Sequence, residues 1–180
     1  MILDYKEVND LDRYKIMSDT VIPRPIAWIV TEDDGVINAA PFSYFIPLSS
    51  NPATLIISIG QKTPGVPKDS LANILKTKKA TICFANKDNL EKLKLCSNPL
   101  DKSQSEVEEY SIQTQRLLEE FPPMINSSQS ALFCEYYSTV ELPGKTTPVI
   151  LEIKKQFIED DRLDPKMHVH VDNVGRSGAF

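Results

Sequence analysis

The sequence predicts a mainly β fold with inserted helices, closed as a small antiparallel barrel, and three observations carry that expectation. Alternating apolar residues, or dense β-branched and aromatic content, mark strands at 26–31, 36–42, 55–59, 80–85, 131–142 and 146–157. Helical patterning is confined to short stretches among them. Strand and helix do not alternate regularly, so a doubly wound parallel sheet fits less well.

The elements follow in order. Asp10 is placed to cap a short helix over 11–17. Pro23 and Pro25 then restrict the backbone on both sides of Arg24, holding it in a stiff, non-helical approach to the first strand. Strands 26–31 and 36–42 form a hairpin about Asp34-Gly35, a pair that tolerates the left-handed backbone of a tight turn. In the next strand Leu55, Ile57 and Ile59 face one way, while Ile56, Ser58 and Gly60 face the other; Gly60 permits close approach to the backbone. Asp69 is set to cap a helix starting at Ser70, with Leu71, Ile74 and Leu75 inward and Asn73, Lys76 and Lys78 toward water. A strand at 80–85 precedes a short helix over 88–95 with Leu90 and Leu93 inward. Residues 97–105 read as loop, and 106–120 as a helix-friendly stretch interrupted by Ile112 and Thr114. Strand 131–142 turns at Pro143-Gly144 into strand 146–157, where Pro148 fits best at an edge or irregularity. His168-Val-His170-Val171 is the last strand candidate.

Length and composition favour one domain over residues 1–180. The chain is 41% hydrophobic and 25% charged, and a chain of this size buries about two-thirds of its unfolded surface without metal or disulfide staples. No apolar run approaches the roughly 20 residues that cross a bilayer, and Met1-Ile-Leu-Asp-Tyr-Lys6 lacks the basic-then-apolar order of a secretory leader. No membrane association is expected, and the expected setting is cytoplasmic. A formal charge of -5, from 25 acidic and 20 basic residues, argues against a nucleic-acid surface. Cys83, Cys96 and Cys134 are odd in number and lack metal-ligand spacing; they read as free thiols in a reducing compartment, with Cys83 and Cys134 buried.

Few motifs of acid-base or nucleophilic chemistry are present. Gly175-Arg-Ser-Gly178 is neither a nucleophile elbow nor a Walker A loop, and no G-x-G-x-x-G stretch exists, so Ser177 is not read as a nucleophile. His168 and His170 share a strand face near Asp164 and Asp172, yet no third ligand has useful spacing; surface histidines are expected, with no metal. Arg24, opposite a return strand bearing Asn38, Ala39, Ala40 and Ser43, suits a planar anionic ligand, or equally an ordinary hairpin with its arginine in solvent. Lys68-Asp-Ser70 stands at a helix start, where backbone amides and the helix dipole attract an anion. The plainer alternative there is a solvated lysine beside a routine cap. Taken with Arg24 and Ser43, the anion site is the favoured reading.

Val21-Ile-Pro-Arg-Pro-Ile-Ala-Trp-Ile-Val30, Asn38-Ala-Ala-Pro-Phe-Ser-Tyr-Phe45, Pro52-Ala-Thr-Leu-Ile-Ile-Ser-Ile-Gly60 and Lys68-Asp-Ser-Leu-Ala-Asn-Ile74, followed by Ala131-Leu-Phe-Cys-Glu135 and Val174-Gly-Arg-Ser-Gly178, resemble the flavin reductase-like, FMN-binding split-barrel family, including its flavoredoxin-like branch. The resemblance spans most of the chain and is thinnest over 86–130. It implies an antiparallel Greek-key FMN-binding split β-barrel that forms a homodimer, with FMN in a groove near the subunit interface. By the same resemblance Arg24, Ser43, Lys68 and Ser70 lie on the phosphate side. Ile26, Ala27, Trp28, Asn38, Ala40 and Phe42 lie near the ribityl chain and ring, with Trp28 equally able to be core. Ser58 and Gly60 belong to the neighbouring wall, and Arg176 serves the phosphate or a second substrate.

The implied activity is that of an FMN-dependent oxidoreductase, accepting a hydride from NAD(P)H and passing electrons to a flavin or other acceptor. The flavin carries the chemistry, so no protein nucleophile is required. Two alternatives stand beside it: an FMN-binding electron-transfer protein reduced by a redox protein, and a non-catalytic ligand-binding split barrel. The family pattern commonly continues past its final glycine-aromatic stretch, whereas this sequence reads Gly178-Ala-Phe180 there, so groove access is a point of difference.

Overall fold

Asn9, one position ahead of the expected Asp10, caps the first helix, α1 (Asp10–Thr20), its Oδ1 accepting the Asp12 amide at 3.0 Å. The computed structural model describes residues 1–179; Phe180, in the final glycine-aromatic stretch, lies outside the described residues. β1 (Arg24–Pro25) leads into the hairpin of β2 (Ala27–Asp33) and β3 (Val36–Phe42). Asp34 and Gly35 have φ of 50° and 82°, and Asp33 pairs with Val36, so the turn has the left-handed pair that the sequence predicts.

β4 (Phe45–Ser50) and β5 (Ala53–Thr63) make the next hairpin, followed by the short β6 (Val66–Pro67), α2 (Asp69–Thr77) and β7 (Lys79–Cys83). A covering segment carries α3 (Leu90–Leu95), α4 (Glu106–Glu109), β8 (Thr114–Gln115) and β9 (Met124–Ile125). β10 (Ser130–Thr139) and β11 (Thr146–Ile158) are the long hairpin, and β12 (Gly175–Arg176) returns to pair with β1.

The main sheet runs β3-β2-β7-β10-β11-β5-β4, antiparallel throughout, with β6 beside β5. β3 and β4 stand at opposite ends of that order, yet Ser43 and Tyr44 alone separate them in the chain. So short a link reaches about 10 Å, which forces the sheet to curl until its ends meet. The Ser58 amide donates to the Tyr44 carbonyl at 2.9 Å, carrying the β4–β5 ladder into this link. The result is a β-rich split barrel with helices inserted.

Strand alternation divides the core between two faces. Ala27, Ile29, Phe42, Leu55, Ile57, Ile59, Ile82 and Leu151 fill the interior, and α2 adds Leu71 and Ile74. Trp28, Val30, Ala39, Cys83 and Ala131 face outward and are covered by Leu93, Cys96, Val107, Met124 and Ile125 of the covering segment. The three cysteines are buried and unbridged. Burial pushes the thiols of Cys83 and Cys96 up to about 12, which leaves them inert at neutral pH.

Several expectations are corrected. Lys68, not Asp69, is the N-cap of α2, and on that helix Asn73 is buried while Leu75 is exposed. The reason is polar: the Asn73 amide reaches the Thr31 hydroxyl on β2 at 3.1 Å. Residues 106–120 hold only one short helix, capped by Ser105, because the chain turns there to lie over the sheet. Pro148, by contrast, sits as expected at an irregularity: it pairs with Ser58 of β5, while the β10 register ends one residue on, at Val149. His168-Val-His170-Val171 is a looped segment with one bridge, Leu163 to Val169, and the last strand is Gly175–Arg176.

Candidate functional site

An apolar groove of about 330 Å³ opens where the ends of the barrel meet. Its walls come from the end of α1 (Met17, Val21), the proline-flanked β1, the β3–β4 link (Ser43, Tyr44), Ile46 of β4, and Ile56 and Ser58 of β5. The size falls at the lower end of small-molecule sites, which run from about 300 to 1,000 Å³. Tyr44 is held in the wall by its hydroxyl, 2.9 Å from Ser18 Oγ, and by its ring stacked on Tyr14 at 6.1 Å. Lys68, outside the groove lining, is exposed, with Nζ 5.6 Å from the ring centre of Phe42, an interior residue of β3. It precedes the first turn of α2, which no side chain caps.

Arg24 lines the groove with its stem, but its guanidinium turns into the fold. It is 6% exposed. Nη1 donates to the carbonyls of Ser18 and Val21, at the end of α1 where helix carbonyls lack partners, and Nη2 donates to Gly178 at 2.7 Å. Arg176, paired in register with Arg24, donates to the carbonyls of Gly178 at 3.2 Å and Ala179 at 2.7 Å. Both arginines therefore hold the Gly178 carbonyl, and Arg176 also holds Ala179, which Tyr14 and Asp19 of α1 bond from the other side. A Cβ at Gly175 would stand 3.1 Å from the Arg24 carbonyl, so a larger residue there would push these closely paired strands apart by a few tenths of an ångström.

Asn38 and Ser70 lie elsewhere, in a buried polar network. Asn38 Oδ1 accepts the Ser70 hydroxyl at 2.8 Å and the Thr31 hydroxyl at 3.4 Å, and Asn38 Nδ2 donates to both carboxylate oxygens of Glu106 at 3.0 Å. Desolvation pushes the Glu106 carboxyl above its ordinary value and the charge of Asp69 adds to this, against the opposing Ala39 and Asn38 hydrogen bonds. Asn38 and Asn73 border a second, polar cavity of about 340 Å³ with Asp33, Asp69, Lys76 and Lys102.

The structure thus brings Arg24, Ser43 and Ser58 to the groove, leaves Phe42 in the interior core with Lys68 over its ring, and joins Asn38 to Ser70 in the separate polar network. Ala27 is buried inside the barrel, and Ala40 is packed against that interior core. Trp28 is wholly buried on the opposite, covered face, with Ile26 against it. A Cβ at Gly60 would meet its nearest neighbour, the Lys145 carbonyl, at 4.0 Å, so the strand itself does not demand glycine there. Tyr44, Thr31, Asn73 and Glu106 escaped the sequence reading; Glu106 meets Asn38 across 68 positions and leaves no local signal. Among the described residues no group of three His, Cys, Asp or Glu side chains is arranged to hold a metal, and no helix is long and apolar enough to cross a membrane.

Residues 17–175 match the family model described as flavin reductase like domain. The chain is 32% identical over 147 residues to an uncharacterised protein of Halalkalibacterium halodurans, covering 81% of this chain and 70% of that one. Its fold is similar to the 2-nitrobenzoate 2-nitroreductase NbaA of Pseudomonas fluorescens, with a TM-score of 0.88, 23% identity, and coverage of 99% and 88% of the two chains. It is likewise similar to nitrilotriacetate monooxygenase component B of Bacillus cereus, with a TM-score of 0.89, 20% identity, and coverage of 94% and 86%.

Proposed function

The chain belongs to the flavin reductase-like family, and from that premise we propose that it binds FMN noncovalently and works as an oxidoreductase supplied with hydride by NAD(P)H. The observation that carries this reading is the apolar groove at the β3–β4 link of a chain of this family, and Lys68 with the start of α2, which no side chain caps, is the proposed phosphate end. That donor set fits a flat apolar ring system joined to a phosphate.

In this reading Lys68 and the first-turn amides of α2 hold the phosphate, with the hydroxyls of Ser43 and Ser58 along the wall. Arg24 is reassigned from phosphate contact to holding the wall, since both of its Nη groups donate to carbonyls and its Nε is buried. Pro23, Pro25, Ile46 and Ile56 exclude water from the ring, and Tyr44, fixed by Ser18, gives that wall a rigid edge. FMN when bound supplies the two-electron chemistry, so the protein need only bind, orient and shield. The final acceptor is a flavin or another oxidant of the same class.

A second copy of the chain completes the groove. β4 pairs with β5 alone among the described strands and leaves Ile46 59% and Leu48 52% exposed beside the groove. Buried free thiols suit the cytoplasmic setting proposed for this dimer.

Anaerobic stopped-flow absorbance tests the activity. FMN-loaded protein mixed with NADH or NADPH should lose its oxidised-flavin band with at least one of them. Reversible reduction by dithionite with no bleaching by either nicotinamide would remove the NAD(P)H step and leave a carrier reduced by a redox protein.

A further inference from the structure

One wall of the groove has almost no core behind it. α1 contributes Met17 and, just past its end, Val21, while the rest of the lining comes from β1, the β3–β4 link, β4 and β5. Among the described residues, Ser18 is the one member of α1 that is buried, and neither apolar core includes any part of the helix. Leu11, Tyr14, Met17 and Val21 are all exposed. By contrast Ile29 and Val30 of β2 and Ile82 and Cys83 of β7 are wholly buried.

What holds α1 is mainly polar. The Ser18 hydroxyl meets the Tyr44 hydroxyl at 2.9 Å, and the Tyr14 ring stacks on the Tyr44 ring. Arg24 Nη1 reaches back to the carbonyls of Ser18 and Val21. Tyr14 donates to the Ala179 carbonyl at 3.3 Å, and Asp19 accepts the Ala179 amide at 2.8 Å. Such bonds are each worth little net in water, and here they stand in place of the apolar burial that fastens the sheet. Within the helix, the Asn9 cap and the exposed pairs Asp10–Arg13 and Asp12–Lys15 add a modest amount. A helix of this length is marginal alone in water, so α1 loses its amide protection once it leaves the barrel. Val21 and Ile22, which join it to the constrained β1, are 61% and 49% exposed and free of the core.

We propose that α1 is a flap on the groove, hinged at Val21-Ile22 and latched by Tyr44, Arg24 and Ala179, which releases to admit a ligand and closes on it through Met17 and Val21. The ligand rests on the FMN reading; the weak latch belongs to the ligand-free protein. The closed groove, about 330 Å³, stands at the lower end of small-molecule sites, and release of α1 removes one side of it. Opening in this way costs far less than unfolding the barrel, because no core residue is exposed by it.

Hydrogen exchange followed by mass spectrometry, peptide by peptide, tests the flap. In ligand-free wild type, amides of residues 13–21 should exchange about ten-fold or more faster than those of β2 and β7. Tyr44→Phe removes the bond to Ser18 and keeps the stacked ring, so it should speed exchange in α1 about five-fold and leave β2 and β7 as they were. FMN held at about ten times its Kd should slow α1 about ten-fold, because the closed form is the one that holds ligand. An α1 that exchanges as slowly as β2 and β7 in the ligand-free protein would overturn the flap. So would a Tyr44→Phe effect that is absent from α1 or spread equally over both strands. Calorimetric binding of FMN with α1 exchange unchanged would overturn closure on the ligand. Failure of FMN to bind at all would instead overturn the FMN reading, while exchange in ligand-free wild type and Tyr44→Phe still decides whether α1 opens by itself.

Discussion

Arg24 and Lys68 are the two cations proposed for the anion side, and the structure divides their work. The Arg24 guanidinium neutralises carbonyls at the end of α1 and in the 178–179 segment, 154 positions away. Its truncation removes three charge-assisted bonds and leaves buried carbonyls without partners, at a cost of about 2–4 kcal/mol. In a chain of this size that corresponds to a fall in Tm of roughly 5–15 °C. Lys68→Ala, at an exposed position, should leave Tm within about 2 °C. Thermal unfolding of the two variants side by side checks this, and equal losses would contradict the division. Glu106 supplies a further test. Its raised pKa means that the folded chain holds the proton more tightly than the unfolded one, so its stabilising contribution is present at low pH and is lost as pH rises through the raised value. Glu106→Gln should remove that component from the pH profile of Tm. Arg24 was legible in the sequence as stiff and important; its carbonyl partners were not, since local pattern says nothing of a partner at the far end of the chain.

Elements defined by local pattern were the readable ones. Asp34-Gly35 states its own turn, and Leu55, Ile57 and Ile59 state their own face, because both depend on near neighbours. α2 was half readable: Leu71 and Ile74 obey the helical stripe, while Asn73 departs from it to meet Thr31 on β2. Residues 86–126 resisted because their order comes from covering Trp28 and Val30 rather than from their own periodicity. β4 carries a prediction at this scale. Replacing Ile46 and Leu48 together by Asp puts charge on a half-unpaired edge and should turn a dimer into a monomer. Sedimentation equilibrium should give twice the 20.3 kDa chain mass before the change and that mass after it. A wild-type monomer at micromolar protein with FMN present would reject the dimer.

At the scale of the molecule, barrel closure does two things at once. It sets the β3–β4 link against β1 and β5, creating the groove, and it turns the outward face of β2 toward a covering segment that also supplies Glu106 to Asn38 of β3. The central claim is that this groove binds FMN through its phosphate at Lys68 and α2. Isothermal titration of FMN and riboflavin into wild type and Lys68→Ala tests it most directly. The account predicts that FMN binds wild type more tightly than riboflavin, and that Lys68→Ala weakens FMN about ten-fold while sparing riboflavin, as expected for one lost charge-assisted bond. Equal affinities of wild type for the two flavins, or equal losses of both in the variant, would contradict it.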